Sequence, residues 1–320
     1  KELYPDVIVI MLSDQPDKKI LISLMRKADD YILKVEIEKL KDELLYVFKR
    51  CFAFQDLKNK NKELMNTLSQ RNKKLEEEIR TAQRLQKEIF PDKIPISSMF
   101  SIHILARPSQ TIGGDFFDVL HLDQKHIGIF LGDICGHGIQ AALLSFTLAN
   151  AFKATIASEE YTSAQKIITK LNSTLVKQFP RGSFVSGSYL ILNEETGGIS
   201  FSGAFETPLL HVTTAKEIKK YVNGNIVFLG MVDNKEVKFE ESEISLNKNE
   251  KIFIFTDGLA EAKDSNRQMF GIERIEEILL SNITEPVKDN CQRLYKEVNT
   301  YTNNSILDDV TIIGIETKSS

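Results

Sequence analysis

From residue 53 to residue 90 the chain contains neither glycine nor proline, and Pro91 closes the stretch. Such a segment is committed to helix over most of its length. A heptad can be laid on it with Asn61, Leu68, Leu75, Ala82 and Ile89 at a, and Leu57, Leu64, Arg71, Glu78 and Leu85 at d. Seven of these ten seam positions are apolar, the pattern of a coiled coil of about five heptads. Its polar seam residues weaken it, although a buried Asn is a known register device. A solvated single helix joining two domains is the alternative.

The flanks have different textures. Before residue 53, Val7–Leu12 is a continuous apolar run, as expected of a parallel strand covered on both faces. A helix is expected from Pro16 to Ala28, a short strand at Tyr31–Leu33, and an amphipathic helix from Glu36 to Phe52 with Leu40, Leu44, Val47 and Phe48 on one side. That β-α-β-α order is too short to close a domain by itself, and a chain beginning at Lys1 is expected to be a piece of something longer. After residue 90, strand-like runs at Ile102–Ala106, Ile127–Leu131, Phe184–Leu192, Gly198–Ser202 and Ile252–Phe255 mix with helical patterns. Gly138–Ala154 is almost entirely apolar or small, as in a helix buried on most sides, and amphipathic helices are expected at 163–178, 272–280 and 287–301. Several strands follow one another without intervening helices. An α+β arrangement of antiparallel sheets flanked by helices therefore fits better than a doubly wound sheet. The expected domains are 1–52, 53–90 and 91–320.

Composition excludes several classes. With 27% charged residues, a net charge of -4 and no basic block, the chain lacks the electrostatic footprint of a nucleic-acid binder. Aliphatic runs such as Val7–Leu12 fall far short of the roughly 20 residues that cross a bilayer. No signal peptide is visible, and Cys51, Cys135 and Cys291 form no CxxC pair; a cytoplasmic protein with reduced thiols is expected.

Four segments carry the chemistry: IGGDFFDV at 112–119, GDICGHG at 132–138, FTDGLAEA at 255–262 and LDDVTIIGI at 307–315. In each, an aspartate stands at an expected strand end beside glycine or another acid. Any one of them alone reads as a turn. Together they describe a site for hard cations, because Mg²⁺ and Mn²⁺ take oxygen ligands and crowded carboxylates converge only where cations neutralise them. Two such ions can activate a bridging water and stabilise a phosphoryl group. GGD alone also resembles a diguanylate-cyclase signature, but Phe116 follows it and the later acids would be left unexplained.

In this order and spacing the four motifs, spread over about 230 residues, resemble the SpoIIE-type branch of the protein phosphatase 2C (PPM) superfamily. The resemblance implies an antiparallel β-sandwich flanked by α-helices, with two divalent cations, Mn²⁺ or Mg²⁺, at one end. Asp133 is similar to the bridging ligand, with the carbonyl of Ile134 beside it. Asp257 and Asp308 match ligands of one ion, Asp309 being an alternative to Asp308, and Asp115 matches a further ligand or water anchor. Gly114 and Asp118 would stand behind the ligands. His137 would act as general acid toward the leaving seryl or threonyl oxygen, or would instead fix its turn. One departure is Gly203-Ala204-Phe205, where family members often have Ala-Gly-His.

Residues 1–52 resemble the C-terminal half of a response-regulator receiver. Ser13 stands where the switch Ser/Thr is expected and Lys34 where the phosphate-contacting Lys is expected, with Val35 replacing the usual Pro. The implied function is hydrolysis of phosphoserine or phosphothreonine in a bacterial two-component or partner-switching pathway. The implied substrate is a phosphorylated STAS-domain anti-anti-sigma factor, the implied circuit contains an anti-sigma kinase, and 53–90 would form a homodimer. A catalytically weak dimeric scaffold that sequesters a partner is the rival, opposed by the intact set Asp115, Asp133, Asp257 and Asp308.

Overall fold

In the computed structural model, described over residues 7–13, 30–33, 37–136, 138–158, 163–222 and 227–318, the chain divides into two compact units, 1–78 and 79–320. In the first, β1 (Ile10–Ser13) and β2 (Asp30–Leu33) pair in parallel, with Ile10 opposite Asp30 and Ser13 opposite Leu33. Ile8, Ile10 and Leu44 pack on the buried pair Val47 and Cys51. Ser13 ends β1, whereas Lys34 and the helix expected from Pro16 lie outside the described residues.

Helix α1 (Ile37–Lys87) is one 51-residue element with residues in both units, and it passes positions 52 and 53 without a break. Residues 88–90 tighten into i→i+3 hydrogen bonds ahead of Pro91, so the helix stops short of the expected 90. Leu57, Leu64, Leu68 and Leu75 form a stripe 46–58% exposed in the single chain. Ile89 does not continue that stripe. It is buried with Phe116, Leu148 and Phe152 in the core of the second unit, because the heptad count runs past the end of the helix.

The second unit stacks two antiparallel five-stranded sheets. The first is built from β4 (Phe116–His121), β5 (His126–Ile134), β6 (Val185–Asn193), β7 (Gly198–Ala204) and β10 (Glu241–Ser245) in the order β10-β7-β6-β5-β4. The other contains β3 (Phe100–Arg107), β8 (Leu209–Val212), β9 (Ile218–Tyr221), β11 (Lys251–Phe255) and β12 (Val310–Thr317) in the order β3-β12-β11-β8-β9. Strand alternation divides the core. On β5, Ile127, Ile129 and Leu131 face Ile252, Ile254, Ile313 and Ile315 between the sheets, while Phe130 and Ile134 face the helices. Buried on both sides, β5 reads as an unbroken apolar run.

Helices close both outer faces. α2 (Ile139–Ser158) and α3 (Ala164–Gln178) cover the first sheet through Leu148, Phe152, Ile168 and Leu171. By length and composition α2 is apolar enough to cross a membrane, yet half of it is buried within the fold. The N-terminus of α3 is satisfied by the Glu241 carboxylate, which accepts from the Ala164 and Gln165 amides. α5 (Ile272–Ser281) and α6 (Val287–Tyr301) cover the other sheet through Ile275, Leu279, Leu294 and Val298. The expected antiparallel sandwich flanked by helices is what forms. β8, β9 and β10 were not anticipated, since strands such as Ile-Lys-Lys-Tyr at 218–221 lack an apolar signature.

Candidate active site

The antiparallel order places four backbone segments at one end of the sandwich. Asp115 immediately precedes β4, and Asp133 is the penultimate residue of β5. Asp257 opens the one-turn helix α4 (Asp257–Ala260) just past β11, and Asp308 and Asp309 lead into β12. Asp133 from one sheet and Asp257 from the other line a common cavity of about 20 Å³ with Ser186, Phe205, Thr207 and Thr256. That is room for one water.

Electrostatics describes a site short of positive charge. Burial, then the charges of Asp115, Asp257 and Asp308, pushes the Asp133 carboxyl far above the ordinary carboxylate range. Burial also raises Asp115, more than its hydrogen bonds from Thr311 and Thr256 lower it, and Asp309 adds to the rise. Asp257 is raised by burial and then by Asp308, Glu261 and Glu206. Asp115 is the nearest of these charges in effect, and it pushes Asp133 up more than Asp257 or Asp308 does.

The local bonding separates residues that look alike in the sequence. Asp115 Oδ2 accepts from Thr311 Oγ1 at 2.6 Å and Thr256 Oγ1 at 3.0 Å, while its Oδ1 is buried without a donor from the ordinary hydrogen-bonding groups. Asp257 Oδ1 is in the same condition. Asp308 is exposed and Asp309 is buried. The Asp309 carboxylate is already occupied: Oδ1 accepts from Ser109 N at 2.7 Å and Ser109 Oγ at 3.1 Å, and Oδ2 accepts from Gly114 N at 2.6 Å.

The remaining expected residues fall as follows. Gly114 lets its loop approach the Ile134 carbonyl, 3.1 Å from where a Cβ would stand. Asp118 lies on the face of β4 that points to the helices, where burial raises it and the charge it feels is Lys153; it is apart from the acidic group. His137 lies outside the described residues. Phe205 packs beside Phe201, with ring centroids 6.5 Å apart, in the core between the sheets. Sequence reading missed Thr256, Thr311 and Gln86, and also Glu206 and Glu261, whose charges reach Asp257. FTDG and DDVT do place both threonines beside acids, but a threonine next to an acid is too common to stand out.

Among the described residues no three carboxylate, imidazole or thiol groups surround a single point. Asp115, Asp257 and Asp308 instead stand within electrostatic reach of Asp133. An all-oxygen donor set, two buried oxygens lacking donors and strong mutual repulsion fit hard divalent cations.

Comparison with known proteins agrees with this architecture. The family model described as Stage II sporulation protein E (SpoIIE) matches residues 123–318, a range holding Asp133, Asp257 and Asp308 but starting after Asp115. Protein IcfG of Synechocystis sp. is 20% identical over 266 residues, covering 74% of this chain and 41% of IcfG. Phosphoserine phosphatase RsbU of Bacillus subtilis is 22% identical over 258 residues, covering 79% of this chain and 73% of RsbU. The chain thus spans less than half the length of the first relative and about three quarters of the second. The solved SiaA-PP2C domain of Pseudomonas aeruginosa superposes with a TM-score of 0.67 at 18% identity, over 77% of this chain and 98% of that domain. Because the family model takes in well over half of its residues, the chain belongs to the SpoIIE family.

Proposed function

We propose that the chain is a metal-dependent protein serine/threonine phosphatase acting on phosphoserine or phosphothreonine of a regulatory protein. The observation that carries this reading is the cluster of buried acids at one end of the sandwich, with Asp115 Oδ1 and Asp257 Oδ1 lacking donors. Asp133, Asp257 and Asp308 would hold Mn²⁺ or Mg²⁺, with Asp115 and the Ile134 carbonyl completing two sites. Asp309 is set aside because its carboxylate is spent on Ser109 and Gly114. Cations bound there supply an activated water and neutralise phosphoryl charge. The rest falls to the chain. Thr256 and Thr311 fix the Asp115 carboxylate. The acidic rim at Glu206 and Glu261 sets the charge the substrate must approach. His137 would protonate the leaving oxygen, so replacing it should slow phosphoseryl hydrolysis far more than hydrolysis of p-nitrophenyl phosphate, whose leaving group needs no proton.

The substrate in this reading is a phosphorylated STAS-domain anti-anti-sigma factor, in a circuit with an anti-sigma kinase. It draws on the likeness to RsbU, itself described as a phosphoserine phosphatase. Phosphate release from a phospho-STAS protein should require Mn²⁺ or Mg²⁺ and stop in EDTA. Equal turnover with chelator would sink the proposal. Residues 1–52 are proposed as a partial receiver, and 53–90 as the homodimer contact through Leu57, Leu64, Leu68 and Leu75. Sedimentation should give a dimer that becomes a monomer when Leu64, Leu68 and Leu75 are made polar, and a monomeric parent chain at tens of micromolar would refute it.

A further inference from the structure

Asp115 does not sit on a strand; it is the last residue of the loop 108–115, and what holds that loop is unusual. Behind it lies a cavity of about 210 Å³ lined by Pro108, Phe90, Phe117 and Gly113, so packing leaves the loop room to shift. Two side chains take the place of packing. The Gln86 amide pairs with the backbone of Gly113 in both directions: Nε2 donates to the Gly113 carbonyl at 2.7 Å, and Oε1 accepts from the Gly113 N–H at 3.3 Å. Nε2 also donates to Ser145 Oγ on α2 at 3.0 Å. Across the loop, Asp309 takes the Ser109 and Gly114 amides. Gln86 is 5% exposed, on the last turn of α1, with Phe90 and Ile89 anchoring the following turn in the core.

We infer that Gln86 and Asp309 are positioning residues for the metal site: together they clamp Gly113 and Gly114 from opposite sides and so fix where the Asp115 carboxylate stands. A side-chain amide that satisfies a peptide group in both directions acts like a strand neighbour for one residue, giving a loop the definition of a sheet edge. Neither residue touches the reacting atoms. Their effect passes through the backbone to Asp115, as it does for groups that orient metal ligands elsewhere. This inference rests on the proposed metal site.

The test uses the full chain and Gln86→Met, which keeps length and bulk and removes all three hydrogen bonds. Hydrogen exchange without metal should be faster at Gly113 and Gly114 in the variant. Calorimetric titration with Mn²⁺ should show binding weakened about 10- to 100-fold, the range for lost supports of ligands. At saturating Mn²⁺ the turnover should recover to within a few-fold, which a general loss of folding would not allow. Ser145→Ala, which removes the side contact and the hydroxyl's bond to the Ala142 carbonyl but leaves Gln86 paired with Gly113, should leave exchange and binding within twofold of the parent. Unchanged exchange, or faster exchange with unchanged Mn²⁺ affinity, overturns the inference. Should Gln86→Met not fold, Asp309→Asn removes the opposite jaw and is read the same way. A parent chain that binds no Mn²⁺ sinks the metal reading, while the exchange arm still decides whether Gln86 fixes the loop.

Discussion

Glu250 and Asp257 bracket β11, and both are acids drawn into a largely apolar sandwich. Burial alone would raise Glu250. Its Oε2, however, accepts from Asn247 N at 3.0 Å, Asn247 Nδ2 at 3.1 Å and His211 Nε2 at 3.0 Å, and these bonds hold the carboxyl below the ordinary glutamate range. At the other end of the strand Asp257 is raised, first by burial and then by Asp308, Glu261 and Glu206, and one of its oxygens has no donor. One acid arrives with its partners and the other with its competitors. A buried charge that the protein has already satisfied is architecture, whereas one left unsatisfied requires something from outside. The two stand at opposite ends of a single strand, so the contrast does not reflect a difference in sheet.

The comparison breaks if Asp257 turns out to be as inert toward metal as Glu250. Asp133→Asn and Asp257→Asn should each lower phosphatase turnover at least about a hundredfold, ~2.7 kcal/mol of barrier. Mn²⁺ at a hundred times its dissociation constant should stabilise the parent by about 2.7 kcal/mol and these variants far less. A folded variant with near-normal turnover would remove its residue from the metal set.

A second prediction sharpens the contrast at two adjacent residues. Asp308→Asn should weaken Mn²⁺ binding about tenfold without lowering metal-free thermal stability, because the side chain is exposed and its charge opposes those of Asp133 and Asp257. Asp309→Asn should lower metal-free stability by about 1–3 kcal/mol, since a buried acceptor of three hydrogen bonds is compromised. An Asp308→Asn chain that melts lower without metal, together with an Asp309→Asn chain that does not, would exchange the two roles.

The smallest effect belongs to Glu250. A carboxyl with a depressed folded value adds stability above its ordinary value of 4.5 and loses that contribution as pH falls through the depressed one. Glu250→Gln should therefore melt lower than the parent at neutral pH, by about 1–2 kcal/mol, with the gap closing below about pH 4. Its turnover at neutral pH should match the parent. A gap that widens on acidification would contradict the assignment.

Much of this was legible in the residues. The four acidic motifs, the apolar β5 and the near-uniformly apolar α2 each announce themselves, and their order fixes a sandwich with helices outside. The choice between Asp308 and Asp309 was not legible. Neighbours entering a strand project to opposite sides, and only the pairing of Val310 with Arg107 determines which side is buried. Asp118, expected to stand behind the ligands, lies on the helix-facing side of β4, where the charge it feels is Lys153. Gln86 was hidden for another reason: inside a heptad pattern a glutamine reads as solvent-facing, and its partners, Gly113 and Ser145, lie 27 and 59 residues away.

Asp309 also leaves a mark on which substitutions the chain can accept. A Cβ at Gly113 would collide with its carboxylate, and a Cβ at Gly258 with its carbonyl oxygen. Both glycines are thus imposed by contact with one aspartate; neither has the positive φ that commonly calls for glycine. Alanine, the mildest replacement elsewhere, is excluded at both positions. At Gly136 and Gly182, where φ is positive but nothing lies within 4 Å of an added Cβ, asparagine remains open. A saturation library selected for folding should return glycine alone at 113 and 258 and a mixture at 136 and 182, so that tolerance to replacement would trace the outline of Asp309.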